Sequence, residues 1–175
     1  MEERSRVKRP SDLLTDEELL ALLRACEDSR SEMEVKRNKC FVSLLYESGC
    51  RIGEILNLRL GDIVPTEYGF KITVRGKTGT RTIPIIDSKK YLLEWGNLHP
   101  YAGDPTAPLF IWLKWGKPTK RALSYSGAVR LLKKLVKKAG INGKRVYFHL
   151  FRHSRATELT NYVSEAYMKT VSYTH

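Results

Sequence analysis

The chain is expected to fold as an α+β protein, mostly α-helical with a small antiparallel β-sheet. Three observations predict this. Apolar residues recur at helical spacing in several stretches that open or close on capping residues. One segment, Ile63 to Ile86, changes to strand spacing around a Gly-rich turn. The chain has 175 residues, 42% of them hydrophobic and 10% aromatic. That is long enough for one domain with a real core and too apolar for disorder.

Residues 1–10 read as a flexible basic arm ending at Pro10. Thr15 followed by Glu18 is a capping box, with Asp16 and Glu17 suited to a first turn. The helix it opens runs to about Asp28 and is expected to bury Leu19, Leu20, Leu22 and Leu23. A second helix spans about Glu34 to Ser48, with Phe41, Val42, Leu44 and Leu45 apolar, and Gly49 ends it. A third starts near Arg51 and buries Ile52, Ile55, Leu56 and Leu58. Phe70, Ile72 and Val74 then alternate with Lys71, Thr73 and Arg75. Gly76-Lys77-Thr78-Gly79 turns the chain, and Thr80 to Ile86 returns as a second strand.

A short helix follows over about Ser88–Trp95. Residues 96–123 are rich in Gly and Pro and lack a period, so they read as a long ordered loop with a short apolar piece at Leu109–Leu113. Ser124 to Ala139 is a strong helix with Val129, Leu131, Leu132, Leu135 and Val136 on its core side, closed by Gly140. Another helix runs from His149 to about Tyr162, and a short one covers Ser164–Lys169.

Charge is unevenly placed. The net charge is +12, yet residues 1–104 hold 17 Lys/Arg against 17 Asp/Glu. Residues 105–157 hold 13 Lys/Arg and no acid. A solvated surface chosen for solubility would be served equally well by mixed signs. The excess is read instead as a footprint for a polyanion, with salt-dependent binding. The helix 124–139 carries Arg130, Lys133, Lys134, Lys137 and Lys138 as a track for phosphates, and Tyr125, Ser126 and Arg130 on its first turns are placed to reach bases. Lys114, Trp115, Lys117, Lys120 and Arg121 interleave cations with an aromatic, which suits a backbone-contacting segment, although Trp112 and Trp115 also fit a core.

No run of 18 apolar residues exists, and the charged N-terminus has no apolar stretch of the secretory type. Neither a membrane span nor a secretion signal is expected. Cys26, Cys40 and Cys50 are odd in number and form no C-x-x-C pair, which argues against a disulfide framework and a zinc site. Cys26 and Cys40 read as core thiols in a reducing compartment.

Three separated blocks carry the chemistry: Gly49-Cys50-Arg51-Ile52-Gly53-Glu54, Arg75-Gly76-Lys77-Thr78-Gly79 and His149-Leu150-Phe151-Arg152-His153. An arginine offers a planar fork that matches two phosphate oxygens, and a lysine is a compact charge that can give up a proton. Each residue also has an ordinary reading. Arg51 and Glu54 fit an i,i+3 surface ion pair. Lys77 fits a solvated turn lysine, and His149 a core histidine bonded to backbone.

In this order the blocks resemble the catalytic domain of tyrosine recombinases, the phage-type integrases, over roughly residues 11–170. The likeness is strongest to Xer-like and archaeal members. Thr82-Ile83-Pro84-Ile85 resembles the family's second strand, and Leu56-Asn57-Leu58-Arg59-Leu60-Gly61-Asp62-Ile63 its helix exit. The resemblance implies that Arg51 and Arg152 clamp the non-bridging oxygens of a scissile phosphate. It implies that His149 donates to the same oxygens or assists proton transfer, and that Lys77 protonates the departing 5′-hydroxyl. Glu54 and His153 would support these groups. Arg155 would contact the DNA backbone or cap a carboxylate.

The family's nucleophile is a tyrosine well downstream of the His-x-x-Arg helix, after a Gly-His or Gly-Trp block. No such block appears here. Tyr173-Thr174-His175 resembles the sequence around the nucleophile, so Tyr173 is the candidate, within an atypical tail, 171–175. The family's N-terminal core-binding domain is expected to be absent. The implied function is site-specific DNA recombination or integration through a 3′-phosphotyrosine, without metal, cofactor or ATP. The alternative is a catalytically silent DNA-binding module derived from a recombinase. Implied partners are double-stranded DNA and further recombinase subunits, four on DNA, with the free chain a monomer. The implied setting is the cytoplasm, at the nucleoid or as part of a viral or plasmid element.

Overall fold

The computed structural model describes residues 12–77 and 79–172. The expected basic arm 1–10 and the candidate Tyr173 lie outside them. Among the described residues, six helices, a three-stranded sheet and a two-stranded hairpin are arranged around one core.

Helix α1 (Asp16–Ala25) opens on the expected capping box: Thr15 Oγ1 accepts from the Glu18 N–H at 3.1 Å, and Glu18 Oε1 accepts from the Thr15 N–H at 3.0 Å. The helix stops three residues short of Asp28, and Leu20, expected inside, is exposed. Helix α2 (Glu32–Ser48) is the central element. Its Cys40, Phe41, Val42, Leu44 and Leu45 are buried, and it packs against α4 (Lys89–Leu98) and α6 (Phe148–Ser172). Phe41 meets Phe110 and Phe148 edge-on, with ring centroids 5.3 and 6.2 Å apart, and thereby ties α6 to the middle of the core.

Helix α3 (Ile52–Leu56) leads through a 3-10 turn, Leu60–Asp62, into the sheet. Strands β1 (Ile63–Pro65), β2 (Phe70–Gly76) and β3 (Gly79–Ile85) lie in that order, all antiparallel. In β2 and β3, Val74 faces Arg81 and Gly76 faces Gly79. Strand β1 adds to the two strands read from the alternation, because three residues are too few to show a period.

Two expectations are corrected. The segment read as a long loop contains β4 (Ile111–Lys114) and β5 (Lys117–Ala122), a hairpin whose turn residues Trp115 and Gly116 both have positive φ, 55° and 78°. Strand β5 has no buried residue, so no alternation marked it. Trp115 is 77% exposed and is not core; Trp112 is 38% exposed. The hairpin is fastened through Arg37, which is buried and donates from Nη1 to the Ile111 carbonyl at 3.0 Å and from Nε and Nη2 to Asn38 Oδ1. Burial pulls the pKa of its guanidinium down to about 10, and the nearby Glu34 carboxylate offsets only part of that.

The second correction is α6. It is one helix of 25 residues where two were expected. No Gly or Pro lies between Tyr162 and Ser164 to break it. Helix α5 (Tyr125–Lys138) follows its expected span within a residue at each end, with Ser124 as N-cap.

Candidate active site

The site begins at the C-terminus of α2. Gly49 sits in the left-handed region at φ 61°, which ends the helix and turns its carbonyl outward. That carbonyl accepts from Arg152 Nη1 at 3.0 Å. Arg152 is thus oriented by backbone, with the rest of its guanidinium left for a ligand. Arg155, one turn along α6, donates from Nε to the Glu47 carbonyl at 3.1 Å and from Nη1 to Glu158 at 3.1 Å. Of the two roles expected for Arg155, capping a carboxylate is the one its contacts match.

Arg51 is the N-cap of α3 and is exposed, and its side chain has no hydrogen-bond or ion-pair partner among the described residues. Its backbone N–H donates to Glu54 Oε1 at 3.0 Å. Glu54 therefore does not form the simple i,i+3 surface pair with Arg51. It is buried, and its carboxylate takes two donors from Arg81: Nη1 to Oε2 and, at 3.0 Å, Nη2 to Oε1. The Arg81 bonds are the main cause holding this carboxyl below its ordinary value.

Lys77 stands at the tip of the β2–β3 hairpin, exposed. His149 lies in the first turn of α6, exposed, with its ring 6.1 Å from that of His153 one turn on. These groups converge. One cavity of about 710 Å³ is lined by Arg51, Lys77, His149 and Arg152, together with Cys50, Ile52, Gly53, Glu54, Asn57, Arg75, Gly76 and Phe148. Residues as far apart in the chain as Cys50 and Arg152 thus share one mouth. Two of the remaining charges are already matched, Glu54 by Arg81 and Arg75 by Asp62 at 2.8 Å. Arg51, Lys77 and Arg152 are left over, so the cavity is cationic and suits an anion carrying several oxygens.

Cys50 lines the same cavity, and burial pushes its thiol up, so it is not an activated nucleophile. No tyrosine lines the cavity among the described residues.

The cations expected to track DNA lie elsewhere on the surface. Arg130, Lys133 and Lys134 on α5 are exposed, as are Lys114, Lys117 and Arg121 on the β4–β5 hairpin. Tyr125 is exposed at the start of α5, its ring 6.1 Å from Phe148. Lys120 is paired with Asp104 at 2.8 Å, and Lys138 with Asp28 at 2.9 Å.

Sequence reasoning passed over Arg81. The alternation places Arg81, Ile83 and Ile85 on one face of β3, and a cation on an apolar strand face demands a carboxylate partner. That was the available signal.

A hairpin lysine, two arginines on separate turns and a helix-borne histidine surround one cationic mouth, on a helical scaffold with a small sheet, as in a domain suited to an anion with several oxygens. The match to known proteins makes the class specific. Residues 12–168 match the model of the phage integrase family, and the chain belongs to that family. It is 36% identical over 148 residues to the tyrosine recombinase XerA of Pyrococcus furiosus, covering 83% of this chain and 47% of that relative. It is 31% identical over 159 residues to transposase A from transposon Tn554 of Staphylococcus aureus, covering 83% of this chain and 40% of that one. The chain thus spans less than half the length of these relatives. Its fold matches the crystal structure of XerA recombinase with TM-score 0.68 and 27% identity, over 85% of this chain and 50% of that one. It also matches XerH recombinase in a post-cleavage complex with a palindromic difH substrate, TM-score 0.64 and 25% identity, over 84% of this chain and 41% of that one. Among the described residues, no helix is long and apolar enough to cross a membrane.

Proposed function

We propose that this chain is the strand-cleaving and rejoining domain of a site-specific recombinase acting on double-stranded DNA. The observation that carries the reading is the convergence of Arg51, Lys77, His149 and Arg152 on one cationic cavity. A nucleophile attacking a phosphodiester moves negative charge onto the non-bridging oxygens. Fixed cations aimed at those oxygens stabilise that state above the ground state. In this assignment Arg51 and Arg152 clamp the oxygens and His149 donates to them. A tyrosine oxygen gives up its proton, to solvent or with the help of His149, and forms the new bond to phosphorus; the bond to the 5′-oxygen breaks, and Lys77 gives that oxygen its proton. The product is a 3′-phosphotyrosine and a free 5′-hydroxyl. The phosphotyrosine ester retains the energy of the broken phosphodiester bond, so attack by the 5′-hydroxyl rejoins the strand.

The nucleophile is assigned to Tyr173 or to the same tyrosine of a second subunit, since the described lining of the cavity supplies none. Four subunits on two sites is the assembly the reading implies, with the free chain a monomer acting in the cytoplasm of a cell or of an element's host. The exposed cations on α5 and the β4–β5 hairpin supply affinity for phosphates along the duplex.

The test is a duplex nicked close to the cleavage position, so that the short 5′-hydroxyl fragment diffuses away and traps the adduct. A covalent protein–DNA species that disappears in Tyr173→Phe is the expected result. Retention of DNA with no adduct, at any protein concentration, would establish the silent DNA-binding module instead.

A further inference from the structure

We infer that Arg81 is a positioning residue for Lys77, and that its pair with Glu54 latches the β2–β3 hairpin to the turn carrying Arg51. The inference rests on the role proposed for Lys77. Beyond the buried Val74, every described residue on the tip side of the hairpin is exposed: Arg75, Gly76, Lys77, Gly79 and Thr80. Apolar burial therefore does not hold the tip. Charge pairs do. Arg75 reaches back to Asp62 in the 3-10 turn at 2.8 Å. Arg81 reaches α3, where both of its terminal nitrogens engage the Glu54 carboxylate and Nη2 also lies 3.8 Å from Cys50 Sγ.

The register explains why this pair, and not another, sets the lysine. Arg81 lies directly across from Val74, so both side chains leave the hairpin on the same face, where the core gives way to α3. Glu54 is the meeting point of three segments. It holds the Arg51 N–H, it holds Arg81, and it packs against Gly76, where an added Cβ would come within 2.8 Å of Glu54 Oε2. The residue beside Gly76 is Lys77. One buried carboxylate thus fixes the clamp Arg51 and the hairpin base of the acid Lys77 against each other. With Arg81 gone, Glu54 still caps Arg51, but the β3 side of the hairpin loses its tether. A displacement of the acid by about 1 Å is enough to slow a proton transfer on the order of a hundredfold.

The experiment compares wild type, Arg81→Met and Arg81→Lys in two assays on the whole chain. The first is amide hydrogen exchange of the free protein. The expected result is faster exchange over residues 74–81 in Arg81→Met, partial recovery in Arg81→Lys, and unchanged protection in α1 and α2. The second is adduct formation on the nicked duplex with either the normal 5′-oxygen or a bridging sulfur at the scissile bond. A thiolate leaves without a proton, so a defect that acts through Lys77 vanishes on sulfur. Arg81→Met is expected to be about a hundredfold slower than wild type on oxygen and close to wild type on sulfur. Equal slowing on both substrates, or exchange over 74–81 that does not change, overturns the latch. If wild type gives no adduct on either substrate, the catalytic reading fails, and hydrogen exchange alone decides whether Arg81 tethers the hairpin.

Discussion

Phe148 joins the hydrophobic core to the cationic cavity, and its removal tests that coupling. It is 8% exposed, meets Phe41 edge-on at 6.2 Å, lines the cationic cavity and immediately precedes His149. Truncating a buried Phe to Ala costs about 3–5 kcal/mol, of which an edge-on aromatic contact accounts for about 0.5–1.5 kcal/mol. Phe148 sits at the rim of the core beside an open cavity, where solvent can enter the space left behind, so Phe148→Ala is expected at the lower end, about 3 kcal/mol. With a urea dependence of about 2 kcal/mol per molar, the unfolding midpoint falls by about 1.5 M at unchanged slope. Phe148→Leu keeps most of the volume and is expected to lose about 1 kcal/mol. Urea unfolding followed by tryptophan fluorescence measures both. A midpoint shift in Phe148→Ala no larger than that of Phe148→Leu would refute the claim that the edge-on cluster seats α6. DNA-adduct formation should fall in Phe148→Ala even in the absence of urea, because the first turn of α6 carries His149.

Glu54 has its carboxyl depressed below its ordinary value of 4.5, chiefly by the Arg81 hydrogen bonds; the stability it contributes is present above that pH and is lost as pH falls through the lower folded value, so acid titration of the unfolding free energy should show a step there that Glu54→Gln removes. Gly49→Ala forces a side chain into φ 61° and should cost about 1–2 kcal/mol in thermal or urea unfolding, with reduced adduct formation because the same carbonyl orients Arg152. Lys133 and Lys137 are exposed with no ion-pair partner among the described residues; replacing both by Ala should flatten the slope of log K against log salt for DNA by about two and weaken all duplexes alike.

Most of the helical frame was legible because its signals are local. Thr15 with Glu18 before an apolar stripe and Gly49 after one each act over a single turn. The β2–β3 hairpin was legible because one face is buried and the alternation survives in the sequence. The β4–β5 hairpin was not, because Lys117–Ala122 buries nothing and is held by pairing with Ile111–Lys114 and by the positive-φ turn at Trp115 and Gly116. The unbroken length of α6 was missed for the opposite reason. From Ala156 to Ser172 its residues are exposed, so burial imposes no period there, and backbone propensity alone carries the helix on.

The chain by itself determined which chemical groups are present and in what order: two arginines, a hairpin lysine and a helix-borne histidine in family-like blocks, with the positive charge gathered after residue 104. Residue type and short-range spacing are written directly in the chain, and so was the family. Tertiary structure alone decided that those four groups open onto one cavity, that Arg152 leans on the Gly49 carbonyl, and that Glu54 answers Arg81 across 27 positions instead of pairing with Arg51 three away. The physical reason is that charge pairing depends on distance through space, and that distance is set by how α2, α3, α6 and the hairpin pack, a long-range outcome that no local pattern encodes.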